Sequence, residues 1–327
     1  MNRVISYGFL GSLMLYLGRR FFRGTFVSSE LMNKKDLSGQ VVLVTGCSRG
    51  GIGYETVKAL YLRGAQVVVA VRDKARSEKE FFELLNQHKG EQRGFIVVMK
   101  VDLDDLESVR EFAKEFLQRF NRLDILINNA GLGGADGVSK QGYETHFAVN
   151  HLSHFLLVHY LRQLILDTSV KYYKECKIIN VGSAAHMFVR KEEHLNFTKE
   201  RISKADPTMF AYGQSKLCNL LFTKSLARQL QDSKVGVYVI HPGAVQTNFF
   251  RRMPIMSILN WIVWYFFKTP EGGAQTQIHV ALESMDKLRS GGYYSDCGLA
   301  RETSLANNVD IQDKLWNFSE ELCKDYM

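Results

Sequence analysis

From Gln40 onward, apolar residues fall into two alternating patterns. Runs rich in Val, Ile and Leu occur in "VVLVTG", "AQVVVAVRD", "FIVVMKVDL", "LDILINNAG", "CKIINVGSAA" and "VGVYVIHPG". Between them lie "YETVKALYLRG", "ARSEKEFFELLNQHKG", "LESVREFAKEFLQRF", "YETHFAVNHLSHFLLVHYLRQLIL" and "AYGQSKLCNLLFTKSLARQL", where apolar positions recur every three or four residues. A continuous apolar run suits a strand covered on both faces, and the longer spacing suits a helix with one buried stripe. Strand and helix alternate throughout, which predicts one α/β domain on a doubly wound parallel sheet.

Two segments depart from this pattern. The first, "MNRVISYGFLGSLMLYLGRRFFRG", has an apolar core from Val4 to Leu17, extended by Met1, Gly18, Phe21 and Phe22 toward the roughly 20 residues that a membrane span requires. "GRRFFRG" is a poor cleavage site and a good stop, so residues 1–24 are expected to be an N-terminal hydrophobic anchor, with a linker over 25–39 and the main domain over 40–327. A mitochondrial presequence is one alternative, since arginines are present and no acid precedes Glu30, and a cleaved signal is another. Basic residues after the apolar core place the main domain on the cytosolic side, at the endoplasmic reticulum or a lipid droplet. The second segment, within 248–268, is "NFFRRMPIMSILNWIVWYFFK". It reads as a lid over an apolar substrate that dips into the bilayer with Trp261, Trp264 and Tyr265 at the interface; the alternative is a helix buried in a homodimer or in the core.

Composition narrows the classes. A chain of 327 residues that is 46% hydrophobic can bury a large core. Its net charge of +8 raises the question of nucleic acid, but residues 1–40 hold six Lys/Arg against two acids, and Arg251, Arg252 and Lys268 stand without an acid in 249–268. The excess thus sits on the most apolar segments, which fits anionic lipid and not DNA or RNA. The 5 cysteines are scattered, without a C-x-x-C pair, as expected of reduced thiols. His146, His151, His154 and His159 do not share one helical face, so no metal site is expected.

In a doubly wound sheet, ligands bind beyond the carboxyl ends of the strands. The polar residues of interest fall there: "TGCSRGGIG" (45–53), Arg72 and Asp73, Asp102, "NNAG" (128–131), Ser183, and "HPGAVQT" (241–247). The glycine turn between a strand and a helix suits a dinucleotide pyrophosphate, although it has one residue too many for the usual glycine spacing. Tyr212 and Lys216, spaced i, i+4 in "YGQSK", face the same way on a helix. An ammonium one turn away, with a cationic nicotinamide, would stabilise a phenolate and make Tyr212 a proton donor or acceptor. Ser183 would hold the substrate oxygen.

With these motifs in this order, the chain from Gln40 to Tyr294 resembles the short-chain dehydrogenase/reductase family, and "VNHLSHF" and "KTPEGGAQT" point to its retinol-dehydrogenase-like branch. The resemblance implies a Rossmann domain in which Ser183, Tyr212 and Lys216 are catalytic and Asn150 joins a proton relay with Lys216 through water. It implies cofactor contacts from Gly46, Ser48, Arg49, Gly51, Ile52 and Gly53 in the turn, from Arg72, from Asp102 and Leu103 near the adenine, from Asn129, Ala130 and Gly131, from Tyr212 and Lys216, and from Pro242, Gly243, Val245 and Thr247. An acid directly after the second strand would favour NAD, whereas Arg72, with Arg49 as a second partner, favours the 2′-phosphate of NADP. The expected activity is NADPH-linked reduction of a lipophilic aldehyde or ketone. The alternatives are an NAD-dependent alcohol or steroid dehydrogenase and a non-catalytic membrane scaffold.

Overall fold

The computed structural model describes residues 24–90, 94–195, 197–206, 208–246 and 267–327. Except for Gly24, Phe267 and Lys268, the expected anchor and lid lie outside the described residues, as does Thr247. No helix among the described residues is long and apolar enough to cross a membrane.

The strands are β1 (Val41–Thr45), β2 (Gln66–Val71), β3 (Phe95–Lys100), β4 (Ile125–Asn128), β5 (Cys176–Val181), β6 (Val235–His241), β7 (Tyr293–Ser295) and β8 (Gly298–Leu299). They form one sheet in the order β3-β2-β1-β4-β5-β6-β7-β8. Neighbours from β3 to β7 are parallel, and β8 returns antiparallel to β7. The main helices are α1 (Ser29–Lys34), α2 (Ile52–Tyr61), α3 (Lys74–Gln87), α4 (Leu106–Arg119), α5 (Ser153–Lys171), α6 (Met209–Gln229), α7 (Pro270–Leu282) and α8 (Val309–Cys323).

The period of two in each strand divides its side chains between the faces. Leu43 and Val68 join one core with Phe112 of α4, Leu156 of α5, Leu220 of α6 and Leu315 of α8. Val42, Val44, Val67 and Val69 join the other, with Leu60 of α2, Phe81 of α3 and Ile278 of α7. Burying each such side chain stabilises the fold by about 1.5–3 kcal/mol, which explains why the strand runs are apolar throughout. The expected linker is not free of the domain: α1 lies within it, Val27 and Leu37 are buried, and the Val27 N–H donates to Gln275 Oε1 of α7 at 3.1 Å.

The sheet reverses its strand order between β1 and β4, and the crevice at their carboxyl ends is where this architecture places a ligand. A turn (Thr145–Phe147) and a π-helical segment (Ala148–Leu152) lead into α5 beside that crevice. The long helix expected there is therefore not uniformly α-helical. Its π turn is widened at Asn150, a feature often found at functional sites.

Candidate active site

The glycine turn is built from close contacts that exclude side chains. Gly46 has φ +71°, and a Cβ there would lie 2.6 Å from the Cα of Ala130. A Cβ on Gly53 would lie 2.5 Å from Asn129 Nδ2 and 2.6 Å from the Gly46 carbonyl. Asn129 uses that Nδ2 to donate to the carbonyls of Thr45 and Gly46, at 2.7 and 2.9 Å, and so joins the turn to the end of β4. Gly51 is the N-cap of α2 and contributes no side-chain bond, so the first-turn N–H groups keep no side-chain partner from their cap. A helix N-terminus in this state receives a phosphate, and the residues present fit a dinucleotide. Within the lengthened segment 47–50, Gly50 has φ +76° and a Cβ there would meet nothing within 4 Å. Within this bulge Ser48 accepts the Gly51 N–H at 3.0 Å through its carbonyl. The next residue, Arg49, is held against α3 by a 2.5 Å ion pair to Glu83 and a 3.1 Å bond from its N–H to Glu80.

Arg72, at the end of β2, is exposed, and its charge is felt by Asp104. Asp73 is committed elsewhere: it is the N-cap of α3 and accepts the Arg76 N–H at 3.1 Å. Asp102 accepts the Asp104 N–H at 3.1 Å, and the buried Leu103 anchors the start of α5 by accepting the Ser153 hydroxyl at 2.6 Å. After β6, Pro242 precedes Gly243, whose φ of +86° places its Cα against the Lys268 side chain. Val245 pairs with Lys268 and meets Gly273, which also lies against Ile52 of α2. The loop after β6 is thereby brought to the helix that begins at the glycine turn.

Ser183, Tyr212 and Lys216 converge between β5 and α6. Ser183 caps the 3-10 turn Ala184–Phe188, accepting the Ala185 N–H at 3.2 Å, and its hydroxyl is hydrogen-bonded to the Tyr212 phenol. Lys216 Nζ lies 5.7 Å from the Tyr212 ring centroid and donates to the Val181 carbonyl at 2.9 Å. Both are buried. Burial pushes the phenol up to about 12 despite the Ser183 bond, and pushes the Lys216 ammonium down to about 7. The i, i+4 spacing predicts a phenolate favoured by its lysine; in the polypeptide itself, desolvation opposes both charges and outweighs that effect. Tyr212 is consequently a protonated phenol in a dry site.

Asn150 lies in the π-helical segment. Its side chain bonds both polar groups of the Leu132 backbone, at 2.9 and 3.0 Å, and donates to Ser215 Oγ at 2.9 Å. Ser215 in turn donates to the Tyr212 carbonyl at 2.7 Å. A Cβ on Gly131 would lie 3.2 Å from both Asn150 Oδ1 and Lys216 Nζ, so glycine keeps the space between those two polar atoms open.

Apart from Asn128 of the NNAG motif, the supporting participants carry no sequence signal. Asn128 donates to Asn180, which donates to Thr223 of α6, at 2.8 and 2.9 Å, linking β4, β5 and the helix of Tyr212 below the site. Gln277 donates to Thr56 and to Asn129 Oδ1. His186 bonds the Ser183 carbonyl at 2.6 Å and accepts the Thr303 N–H at 3.3 Å, joining the serine turn to the segment before α8. The histidines considered for metal go to separate partners: His146 to Glu144, His151 to Ser319 and His154 to Thr45.

A family model described as short chain dehydrogenase matches residues 40–193. Human retinol dehydrogenase 11 is 38% identical over 310 residues, covering 94% of this chain and 93% of that protein. Mouse retinol dehydrogenase 12 is also 38% identical, covering 94% of each. Among solved structures, the RhlG/NADP active-site complex of Pseudomonas aeruginosa is 26% identical with a TM-score of 0.61, covering 80% of this chain and 95% of that one. The chain belongs to the short-chain dehydrogenase/reductase family. Within it the chain is homologous to the retinol dehydrogenases, and it is an oxidoreductase acting on CH–OH groups.

Proposed function

We propose that the protein is an NADPH-dependent reductase of a lipophilic aldehyde or ketone, with a retinoid, sterol, polyprenoid or long-chain lipid as the substrate class. The observation that carries this reading is the buried Tyr212 phenol, held protonated, hydrogen-bonded to Ser183 and backed by Lys216. A bound NADPH supplies the hydride to the carbonyl carbon. Ser183 holds the carbonyl oxygen, and Tyr212 gives that oxygen its proton as the C=O pair becomes an alkoxide. Lys216 would hold the ribose of the bound nucleotide and stabilise the resulting phenolate, and the gap at Gly131 would admit a water between Lys216 and Asn150 for reprotonation.

The preference for NADP rests on Arg72, exposed at the end of β2, and on Asp73, whose carboxylate is engaged in capping α3 and faces an N–H of its own helix. Gly46, Ser48, Gly51, Ile52 and Gly53 would cradle the pyrophosphate side. Asp102 and Leu103 would serve the adenine, Asn129 to Gly131 the underside of the cofactor, and Pro242, Gly243 and Val245 the nicotinamide, together with Thr247, which lies outside the described residues. The names of the retinol dehydrogenases and the NADP in the RhlG complex agree with this choice of substrate and cofactor. Residues 1–24 anchor the protein in the endoplasmic reticulum or a lipid droplet with its catalytic domain in the cytosol, and 248–268 cover the substrate.

The test is turnover of the full chain in lipid vesicles, with NADPH and NADH, against retinoid, sterol, polyprenoid and alkyl aldehydes or ketones. NADPH oxidation with one of these is expected. A clear NADH preference would overturn the cofactor assignment, and nucleotide binding without turnover would favour a scaffold. A reporter fused to residues 1–40 tests the location, and mitochondrial labelling would overturn the anchor.

A further inference from the structure

His154 is buried, 2% exposed, one helical turn after Asn150 and at the start of α5. Its Nδ1 lies 3.2 Å from the Asn150 carbonyl oxygen, and its Nε2 lies 3.0 Å from Thr45 Oγ1. A carbonyl can only accept, so Nδ1 carries the proton and Nε2 is an acceptor. Thr45 Oγ1 already accepts the Ala130 N–H at 2.9 Å, which leaves its own proton to be donated to Nε2. Every polar atom in this relay has one defined role: Ala130 donates to Thr45, Thr45 to His154, and His154 to Asn150. Burial and the nearby Lys216 push the imidazole down to about 4, so the neutral tautomer persists at neutral pH.

The ends of the relay are the two halves of the site. Thr45 is the last residue of β1, and its carbonyl and that of Gly46 are held by Asn129. Asn150 stands in the π-helical segment, where the backbone departs from regular helical register, and its side chain reaches Leu132 and Ser215. A widened turn needs an external anchor to define its placement, and His154 supplies one through the strand that begins the glycine turn.

We propose that His154 is a positioning residue that ties Asn150 to the glycine turn, so that the dinucleotide seat and the proton-relay end of the site hold one relative placement. This inference rests on the proposed roles of Asn150 and of the turn. It makes a prediction that simple core filling does not, because the two ring nitrogens serve different halves of the site.

His154→Asn keeps a donor near the Nδ1 position and loses the reach to Thr45. His154→Gln keeps an acceptor near the Nε2 position and loses the donor to Asn150. The experiment measures NADPH dissociation by fluorescence, and kcat at saturating NADPH, for both variants, His154→Phe, Thr45→Val and Thr45→Ser. The Asn variant is expected to weaken NADPH binding by about tenfold with a smaller loss of kcat. The Gln variant is expected to lower kcat about tenfold or more with a smaller change in binding, since displacements of about 1 Å carry costs up to this size. Thr45→Val should reproduce the binding loss and Thr45→Ser should restore it. If all His154 variants change both quantities in equal proportion, or change only the melting temperature, the inference is overturned. Where one polar His154 variant does not fold, the other is compared with His154→Phe and the Thr45 pair, and the inference is overturned if it changes binding and kcat in equal proportion. Failure of the wild type to turn over any carbonyl would instead sink the proposed activity. The NADPH-binding comparison of the Thr45 and Asn variants would still decide the role of His154.

Discussion

Replacing Lys216 by Met should make the protein more stable while removing its activity. The ammonium is buried and has its pKa pushed from 10.5 down to about 7 by desolvation. The unfolded chain therefore keeps this proton up to about pH 10.5, whereas the folded chain releases it near pH 7. Below pH 7 both states are protonated and the folded state carries the whole penalty, on the order of 5 kcal/mol from this shift. Between pH 7 and 10.5 the unfolded state binds more protons, so wild-type stability rises with pH across that window. Methionine has similar length and no charge. The Val181 carbonyl that Lys216 occupies also accepts from Asn219 Nδ2 at 3.1 Å, so it is not orphaned. Allowing for water penetration and repacking, a gain of about 2–5 kcal/mol is expected at pH 6, or roughly 3–8 °C in melting temperature for a domain of this size. In the folded protein the nearby His154 and His241 sit at about 4 and Tyr212 at about 12, so none of these three titrates there between pH 6 and 9, and their titration in the unfolded chain is common to wild type and variant. The assay is thermal unfolding of both proteins without nucleotide at pH 6 and pH 9, paired with NADPH turnover. A Met variant that melts at or below the wild type at pH 6, or an advantage that does not shrink by pH 9, would refute the desolvated-ammonium argument.

Lys177 sets a limit on that argument. Burial pushes it down as well, to about 8, but its Nζ donates to the carbonyls of Val280, at 3.0 Å, Ala281, at 3.1 Å, and Glu283, closing the C-terminus of α7; methionine would orphan these, so Lys177→Met should give none of the gain expected at Lys216 and should cost about 1–3 kcal/mol in denaturant unfolding. Tyr212→Phe should lower kcat by about 10²–10⁴ while NADPH binding, followed by fluorescence, changes by only a few fold. Arg72→Asp should raise the NADPH KM by roughly tenfold or more and leave the NADH KM less affected; Asp73→Ala should instead cost about 1 kcal/mol of stability through the lost cap of α3, with little change in the NADPH-to-NADH ratio. Gly53→Ala should cost about 2–4 kcal/mol and weaken NADPH binding, because the new methyl meets Asn129 Nδ2 and the Gly46 carbonyl; an unchanged melting temperature would show that the turn yields.

Much of this site can be read along the chain because the family's chemistry lies at the ends of strands. Continuous apolar runs locate β1 to β6, and the residues at or just beyond their ends are the glycine turn, Arg72, Asp102, Asn128 to Gly131, Ser183 and the loop after His241. The short strand β7, Tyr293–Ser295, escapes that reading because three residues carry no measurable period. The π-helical turn at Asn150 escapes it as well, since one widened turn hardly disturbs the apolar spacing of the surrounding helix.

Residue types and short-range spacing suffice to name the Tyr212–Lys216 pair, because i, i+4 neighbours share a helix face whatever surrounds them. Their proton affinities follow from burial, which depends on segments remote in sequence, and the folded environment reverses the shift that spacing alone implies for Tyr212. The same holds for partners. Asp73 and Arg72 are adjacent and both charged, yet one is consumed by a helix cap and the other faces outward. His154 and Thr45 are 109 positions apart and 3.0 Å from each other. Local chain geometry selects which groups point together, while long-range packing sets which of them are dry, paired or free to act.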